Sequence, residues 1–339
     1  MSASPSVLVT GASGFVASAI AQHLLTKGYS TRGTVRKLSN APKLNAGASK
    51  LEFVEADLLK DGSFNDAAQG CSVVMHAASP YIIDVKDPQR DLVDPAVKGT
   101  LNVLHACAKS GTVKRVVLTS SIAAVTDEPE RDRVLTEADW NTKSSLNRNP
   151  YYYSKTQAEK AAWTFMQETR PSFDLVAINP FLVLGPSLVP TGNTSTNIFI
   201  DLLKGRYPAI MNITWGFVDV RDVADAHVRA MENPKARGRY LCASETLHMR
   251  RVVEILKANA FDKNRKLPTL PLDNGIGNLL VWLFSFKESK GVGQYMRSHV
   301  GRVPRYDTTK IRTELGMTFR PAEQSLLETM NDLKKWGHL

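Results

Sequence analysis

Near its N-terminus the chain reads Val7-Leu8-Val9-Thr10, then Gly11-Ala12-Ser13-Gly14-Phe15-Val16-Ala17, then Ile20-Ala21-Gln22-His23-Leu24-Leu25. An apolar run, a glycine-rich turn and a stretch of helical period follow one another as strand, tight turn and helix. Gly11 and Gly14 let the backbone turn sharply and approach a ligand, and the amides of Ser13, Phe15 and Val16 face the charge that a helix start attracts. The turn is therefore a candidate cradle for the pyrophosphate of a dinucleotide.

The strand and helix pattern repeats. Ser30-Thr31-Arg32-Gly33-Thr34-Val35 forms a second strand whose exit carries Arg36 and Lys37, where a dinucleotide site commonly places an acidic residue for the adenosine ribose. A guanidinium grips a 2′-phosphate as a planar fork and a carboxylate would repel it, so Arg36 favours NADP over NAD. A third strand exits at Asp57 and Leu58, which suit an adenine amino group and the face of its ring. The fourth, Val73-Val74-Met75-His76, ends in Ala77-Ala78-Ser79, small enough to admit a cofactor to the backbone, and His76 reads as a structural histidine. A helix over 96–109 leads to Arg115-Val116-Val117-Leu118 and the hydroxyls Thr119, Ser120 and Ser121, and residues 173–180 supply a sixth strand. Such alternation implies an α/β fold with a parallel sheet, whose ligands lie beyond the carboxyl ends of its strands.

Tyr151-Tyr152-Tyr153-Ser154-Lys155 opens an apolar helical pattern reaching about Met166. On a helix Tyr151 and Lys155 lie one turn apart on one face. A phenol titrates near pH ~10, and an ammionium-type cation one turn away stabilises its anion and makes it usable for proton transfer. Tyr152 and Tyr153 have the wrong spacing to Lys155 for this.

Residues 125–150, charged and polar around Trp140, read as a surface excursion over this rim. Phe181-Leu182-Val183-Leu184-Gly185-Pro186 follows Asn179-Pro180, and the turn fixed by its prolines and glycine brings Pro180, Leu182 and Val183 beside a nicotinamide ring. The polar stretch 191–197 begins a second part of the chain, with Ser195 placed to reach a phosphate. Residues 215–231 return to the first part with Asp219 or Asp222 capping a helix. Short strand 239–242, helix 250–260, a loop-rich region 261–304 and two C-terminal helices complete the chain. The expected division is residues 1–182 with 214–235 as the cofactor-binding domain, and 183–213 with 236–339 as the substrate-binding domain, the last helix free to pack back on the first.

At 339 residues the chain exceeds the usual single-core range, which agrees with a large domain and a smaller partner. Cys71, Cys107 and Cys242 are far apart without metal-ligand spacing, so neither disulfides nor a metal centre is expected, and a reducing, cytoplasmic compartment fits. The polar start lacks the charged and apolar regions of a signal peptide. The longest apolar run, 276–286, is too short and broken to span a bilayer and is expected to be buried or to line a substrate site. Lys and Arg exceed Asp and Glu by 43 to 33, a formal charge of +10, but the basic residues are dispersed. An anionic cofactor or substrate uses this charge better than nucleic acid, which is not expected as a partner.

Taken together, the turn Thr10 to Ala17, Thr34-Val35-Arg36, Asp57-Leu58, Thr119-Ser120-Ser121, Tyr151 to Lys155, Asn179-Pro180 and Phe217 to His227 resemble, in order, the motifs of the extended short-chain dehydrogenase/reductase family. The resemblance covers nearly the whole chain and is greatest to the dihydroflavonol-reductase, cinnamoyl-CoA-reductase and fungal carbonyl-reductase-like branch. Ala17 stands where many members have a third glycine, and residues 267–301 are the least similar. The resemblance implies a Rossmann-type sheet with a smaller, mainly C-terminal substrate domain and NADP(H) as cofactor. It implies that Ser121, rather than Ser120, binds the carbonyl oxygen, Tyr151 donates the proton, and Lys155 binds the nicotinamide ribose and lowers the tyrosine pKa. Hydride delivery to a carbonyl carbon builds charge on oxygen, which needs such a donor. The expected reaction is NADPH-dependent reduction of an aldehyde or ketone, a small-molecule carbonyl, by a monomer or homodimer. A nucleotide-sugar epimerase or dehydratase, and a non-catalytic NADP-binding sensor or structural protein, are the alternatives.

Overall fold

The strand-like runs pair as one wholly parallel seven-stranded sheet in a computed structural model that describes residues 6–79, 85–130, 133–190, 194–263, 266–288 and 290–339. In chain order the strands are β1 (Ser6–Val9), β2 (Ser30–Val35), β3 (Leu51–Glu55), β4 (Val73–His76), β5 (Arg115–Thr119), β6 (Asp174–Pro180), β7 (Leu182–Leu184), β8 (Ile210–Met211), β9 (Thr214–Asp219), β10 (Gly238–Cys242), β11 (Glu245–His248) and β12 (Pro271–Leu272). The helices are α1 (Phe15–Thr26), α2 (Asn65–Ala68), α3 (Asp94–Ser110), α4 (Pro150–Thr169), α5 (Thr194–Leu203), α6 (Val220–Glu232), α7 (Met249–Ala258), α8 (Gly275–Phe284), α9 (Lys290–His299), α10 (Thr309–Glu314) and α11 (Ala322–Lys335).

The large sheet runs β10-β6-β5-β4-β1-β2-β3. β1 pairs with β2 on one side (Val7 opposite Thr31) and with β4 on the other (Val7 opposite Val73), so the strand order reverses between β1 and β4. Such a reversal opens a crevice at the carboxyl ends of the two strands. The two-residue period of the strands sorts their side chains. Val7, Val9, Val117, Val176 and Ile178 join a core with α1 and α6, whereas Leu8, Val116, Leu118, Leu175 and Ala177 join another with α3 and α4. Each fully buried Leu or Val is worth roughly 1.5–3 kcal/mol over the exposed side chain.

A second core lies around the three-stranded sheet β11-β9-β7 and the pair β12-β8. α11 contributes Leu326, Met330 and Leu333 to this second core and packs on β9 and β7. β10, by contrast, was expected with residues 236–339 of the substrate part, but it pairs in parallel with β6 from Val176–Gly238 to Pro180–Cys242 and is the edge strand of the large sheet. Its return is made by α6, which packs on α1 and delivers the chain beside β6.

Two further expectations are corrected. Residues 125–150 are not wholly a surface excursion: among those described, Asp127, Leu135, Asn141, Ser144 and Asn149 are buried. Two of the polar side chains are satisfied internally, Asn141 donating to the Ala123 carbonyl at 2.8 Å and Asn149 to Asp127 at 2.6 Å, so polarity here reflects in part a bonded interior segment. The region 261–304 contains α8 and α9 rather than loop, and its apolar run is not buried. Gly277, Val281 and Ser285, each one turn after the last, face inward, while Ile276 is 77% and Phe286 61% exposed. Among the described residues no helix is long and apolar enough to cross a membrane.

Candidate active site

The glycine turn after β1 lies against the end of β4. Gly11 adopts φ +68°, and a Cβ there would meet the Ala78 Cβ at 3.0 Å, so glycine is required by both conformation and space. The turn is held by Gly14 N–H to the Gly11 carbonyl at 2.8 Å and by Gly11 N–H to the Thr34 hydroxyl at 3.0 Å. α1 begins without a side-chain cap and without an acidic residue in its first turn. Its amides at Phe15 and Val16 are thus left to an anion, and half-buried Ser13 stands beside them.

Beyond β2, Arg36 and Lys37 are exposed, and among the described residues no carboxylate pairs with either. At the exit of β3 one Asp57 oxygen accepts the Leu59 amide at 2.9 Å, closing its own turn, and Leu58 packs over Gly99 of α3. These side chains stand on the β2-β3 flank of the crevice, the flank suited to an adenosine.

On the other flank the β4 exit, Ala77-Ala78-Ser79, meets α4. The Lys155 ammonium donates to the Ser79 hydroxyl at 2.8 Å and lies 5.9 Å from the centre of the Tyr151 ring. Burial pulls the Lys155 pKa down to about 8. His76, buried beneath, meets the Thr10 hydroxyl through Nδ1 at 2.9 Å, and burial lowers its pKa to about 3, so it is the neutral structural histidine expected.

Ser121 lies two residues beyond β5 and caps a 3₁₀ turn over Ile122–Ala124, its hydroxyl oxygen accepting the Ala123 amide at 3.2 Å. Its proton stays available to a substrate oxygen. The hydroxyl of Thr156, next to Lys155, lies 2.8 Å from the Tyr152 carbonyl of its own helix and 3.3 Å from the Ala123 carbonyl, and so seats the Ser121 turn against α4. Thr119 is directed elsewhere. Its hydroxyl meets His227 Nε2 at 2.7 Å, and since His227 Nδ1 faces the Val223 carbonyl at 2.8 Å, Nε2 is the acceptor. Pro180 and Val183 are buried and Leu182 half-buried where the chain passes from the large sheet to the small one, with the Phe181 ring tilted at 46° against Tyr306, their centres 4.1 Å apart. Of the stretch 191–197, residues 191–193 lie outside the described residues; half-buried Ser195 sits on α5, whose Thr196 shares a small crevice with Phe15 and Gly185.

Sequence reasoning missed the groups that hold α4, the helix of Tyr151 and Lys155. Asn149 precedes Pro150 in the left-handed conformation (φ 48°), and its amide N–H is bound by Gln294 of α9 at 3.0 Å. Its side chain donates to Asp127, which Arg148 also pairs at 2.6 Å. Further along the face carrying Tyr151 and Lys155 comes Glu159, buried and paired with Arg239 at 2.6 Å. The four-residue spacing from Lys155 was the available signal. Of the open pair, Asp219 caps α6 by accepting the Arg221 amide at 2.8 Å, and Asp222 pairs with Arg320.

The arrangement has close counterparts. The sequence profile described as the NAD dependent epimerase/dehydratase family matches residues 7–243. The chain is 40% identical to cinnamoyl-CoA reductase CAD2 of Medicago truncatula, over 97% of this chain and 95% of that one. It is 35% identical to tetraketide alpha-pyrone reductase 1 of Arabidopsis thaliana, over 98% and 96% respectively. The crystal structure of yeast methylglyoxal/isovaleraldehyde reductase Gre2 complexed with NADPH superposes with a TM-score of 0.80 at 30% identity, covering 98% of this chain and 100% of that one.

Proposed function

The chain belongs to the NAD dependent epimerase/dehydratase family, and from that premise we propose that it uses NADPH to reduce the carbonyl of a small aldehyde or ketone, Tyr151 donating the proton. The observation that carries the reading is the placement of Lys155: its ammonium reaches the β4 exit at Ser79 while lying beside the Tyr151 ring, on the crevice that the Gly11 turn also lines.

The residues fit NADP(H). Gly11, Ser13, Gly14, Phe15 and Val16 offer an uncapped helix start to a pyrophosphate, Arg36 and Lys37 offer unpaired cations to a 2′-phosphate, and Asp57 with Leu58 suits an adenine. Ala77, Ala78 and Ser79 leave room along the backbone, Lys155 suits the nicotinamide ribose, and Pro180, Leu182 and Val183 border the ring. NADPH, when bound, supplies the hydride. The rest of the chemistry falls to the protein. Ser121 hydrogen-bonds the carbonyl oxygen as charge grows on it, Tyr151 gives that oxygen its proton, and the Lys155 cation stabilises the phenolate left behind.

A panel of aliphatic aldehydes, aromatic ketones, dihydroflavonols, acyl-CoA thioesters and nucleotide sugars, followed by NADPH absorbance and product analysis, tests the reading. The thioesters belong in it because several relatives are named cinnamoyl-CoA reductases. The expected result is NADPH oxidation matched by alcohol formation in an aldehyde or ketone class. Isomerised sugar without net NADPH consumption, or tight NADPH binding without turnover of any carbonyl, overturns it. Arg36→Glu is expected to weaken NADPH by at least about tenfold relative to NADH, the loss of a charge-assisted contact of roughly 1.5–3 kcal/mol; equal changes in the two dissociation constants contradict the 2′-phosphate assignment.

A further inference from the structure

Beneath the Ser121 turn, one carboxylate gathers donors from four elements. Glu159 of α4 is 1% exposed and Arg239 of β10 is 6% exposed. Glu159 Oε1 accepts from Arg239 Nε at 2.6 Å and from Trp163 Nε1 at 3.2 Å. Its Oε2 accepts from the Ser120 hydroxyl at 2.5 Å and from Asn179 Nδ2 at 2.8 Å. The same Asn179 nitrogen also donates to the Ser121 carbonyl at 3.1 Å. Arg239 is fixed in turn: its guanidinium stacks 3.9 Å from the Trp140 ring and donates to the carbonyls of Glu137 and Asp139.

We propose that Glu159, held by Arg239, is the positioning residue of this active site, setting the Ser121 end of β5 against the helix that carries Tyr151 and Lys155. The inference rests on the reductase reading above. Glu159 touches neither Ser121 Oγ nor the Lys155 ammonium; it acts through Ser120 and Asn179 on one side and through the α4 backbone on the other. Lys155 lies one turn before it on the same face. A buried ion pair is weak evidence for stability, because apolar residues often replace such a pair without loss. Its directional bonds serve another purpose, since each lone pair is aimed at a group on a different element. A misplacement of about 1 Å between reacting groups can cost on the order of 100-fold in rate.

The test uses Glu159→Gln, together with the double variant Glu159→Leu/Arg239→Met, which leaves no unpaired charge and keeps a folded protein in hand if the single change is not tolerated. Each is assayed well below its unfolding midpoint with the best carbonyl of the panel. The expected result is kcat per folded molecule lower by about 10- to 100-fold, with KM and the NADPH dissociation constant changed by no more than about threefold. A purely structural network would lower the melting temperature and leave kcat per folded molecule at the wild-type level, and that result overturns the proposal. Amide exchange over residues 119–125 gives a readout independent of turnover. Faster local exchange in the folded variants supports positioning, and unchanged protection contradicts it. A wild-type protein that reduces no carbonyl would sink the reductase reading alone, and amide exchange would still decide the role of Glu159 in holding the Ser121 turn.

Discussion

Lys155 shows how one side chain couples the fold to the chemistry. Burial lowers its pKa from the ordinary 10.5 to about 8, so between these values the unfolded chain binds more protons here than the folded one. The cost of sinking the ammonium is fully present below pH 8 and is relieved as pH rises. Without cofactor, the unfolding free energy is expected to rise from pH about 8 to 10 by an amount that Lys155→Met abolishes, measured by urea denaturation of both proteins. The same pH dependence in both would contradict the burial of this amine. Tyr151 and Lys155 were legible in the sequence because a four-residue spacing needs only a helix. Glu159 was not, although it continues their spacing, because an acidic residue on a helix is usually solvated and three of its four partners, Ser120, Asn179 and Arg239, come from distant parts of the chain. The partner of Thr119 was hidden for a related reason: a hydroxyl at a strand end does not show in the sequence that His227, 108 residues away, bonds it.

At the scale of elements, what could be read was periodicity. The alternation in β1, β5 and β6 and the placement of small residues after β1 and β4 are properties of short stretches, and they fix which strand ends share the crevice. Pairing partners are not local properties, so β10 could not be assigned to the large sheet from its own five residues. α8 failed differently. Its sequence is apolar on nearly every face, so no stripe told which residues are inside, and Trp282 is 45% exposed. Gly216 of β9 marks where the two sheets meet: a Cβ there would fall inside contact distance of the Phe181 ring. Gly216→Ala is expected to destabilise the protein by about 1–3 kcal/mol, through displacement of Phe181 and its Tyr306 partner. A chemical-denaturation midpoint equal to that of the wild type would show that the ring moves freely.

For the whole molecule, the large sheet supplies a rigid crevice and the segment 125–149 joins the second core to it through Asn149 and Gln294. Three histidines are buried within this assembly, and burial lowers the pKa of His76 to about 3 and those of His227 and His299 to about 4. The unfolded chain protonates them near pH 6.5, so their contribution to stability is fully present above that value and is lost as pH falls toward 4. Denaturation at pH 7 and at pH about 4.5 is expected to show the loss, and His227→Gln to reduce it; an equal loss in the variant would assign the acid sensitivity elsewhere. The central claim concerns the reaction the crevice performs. Its most direct test is Tyr151→Phe, which removes one oxygen from the face shared with Lys155. The account predicts that carbonyl reduction falls by about 10²- to 10⁴-fold while the NADPH dissociation constant stays within about threefold of the wild type. Undiminished alcohol formation by the folded variant would contradict it.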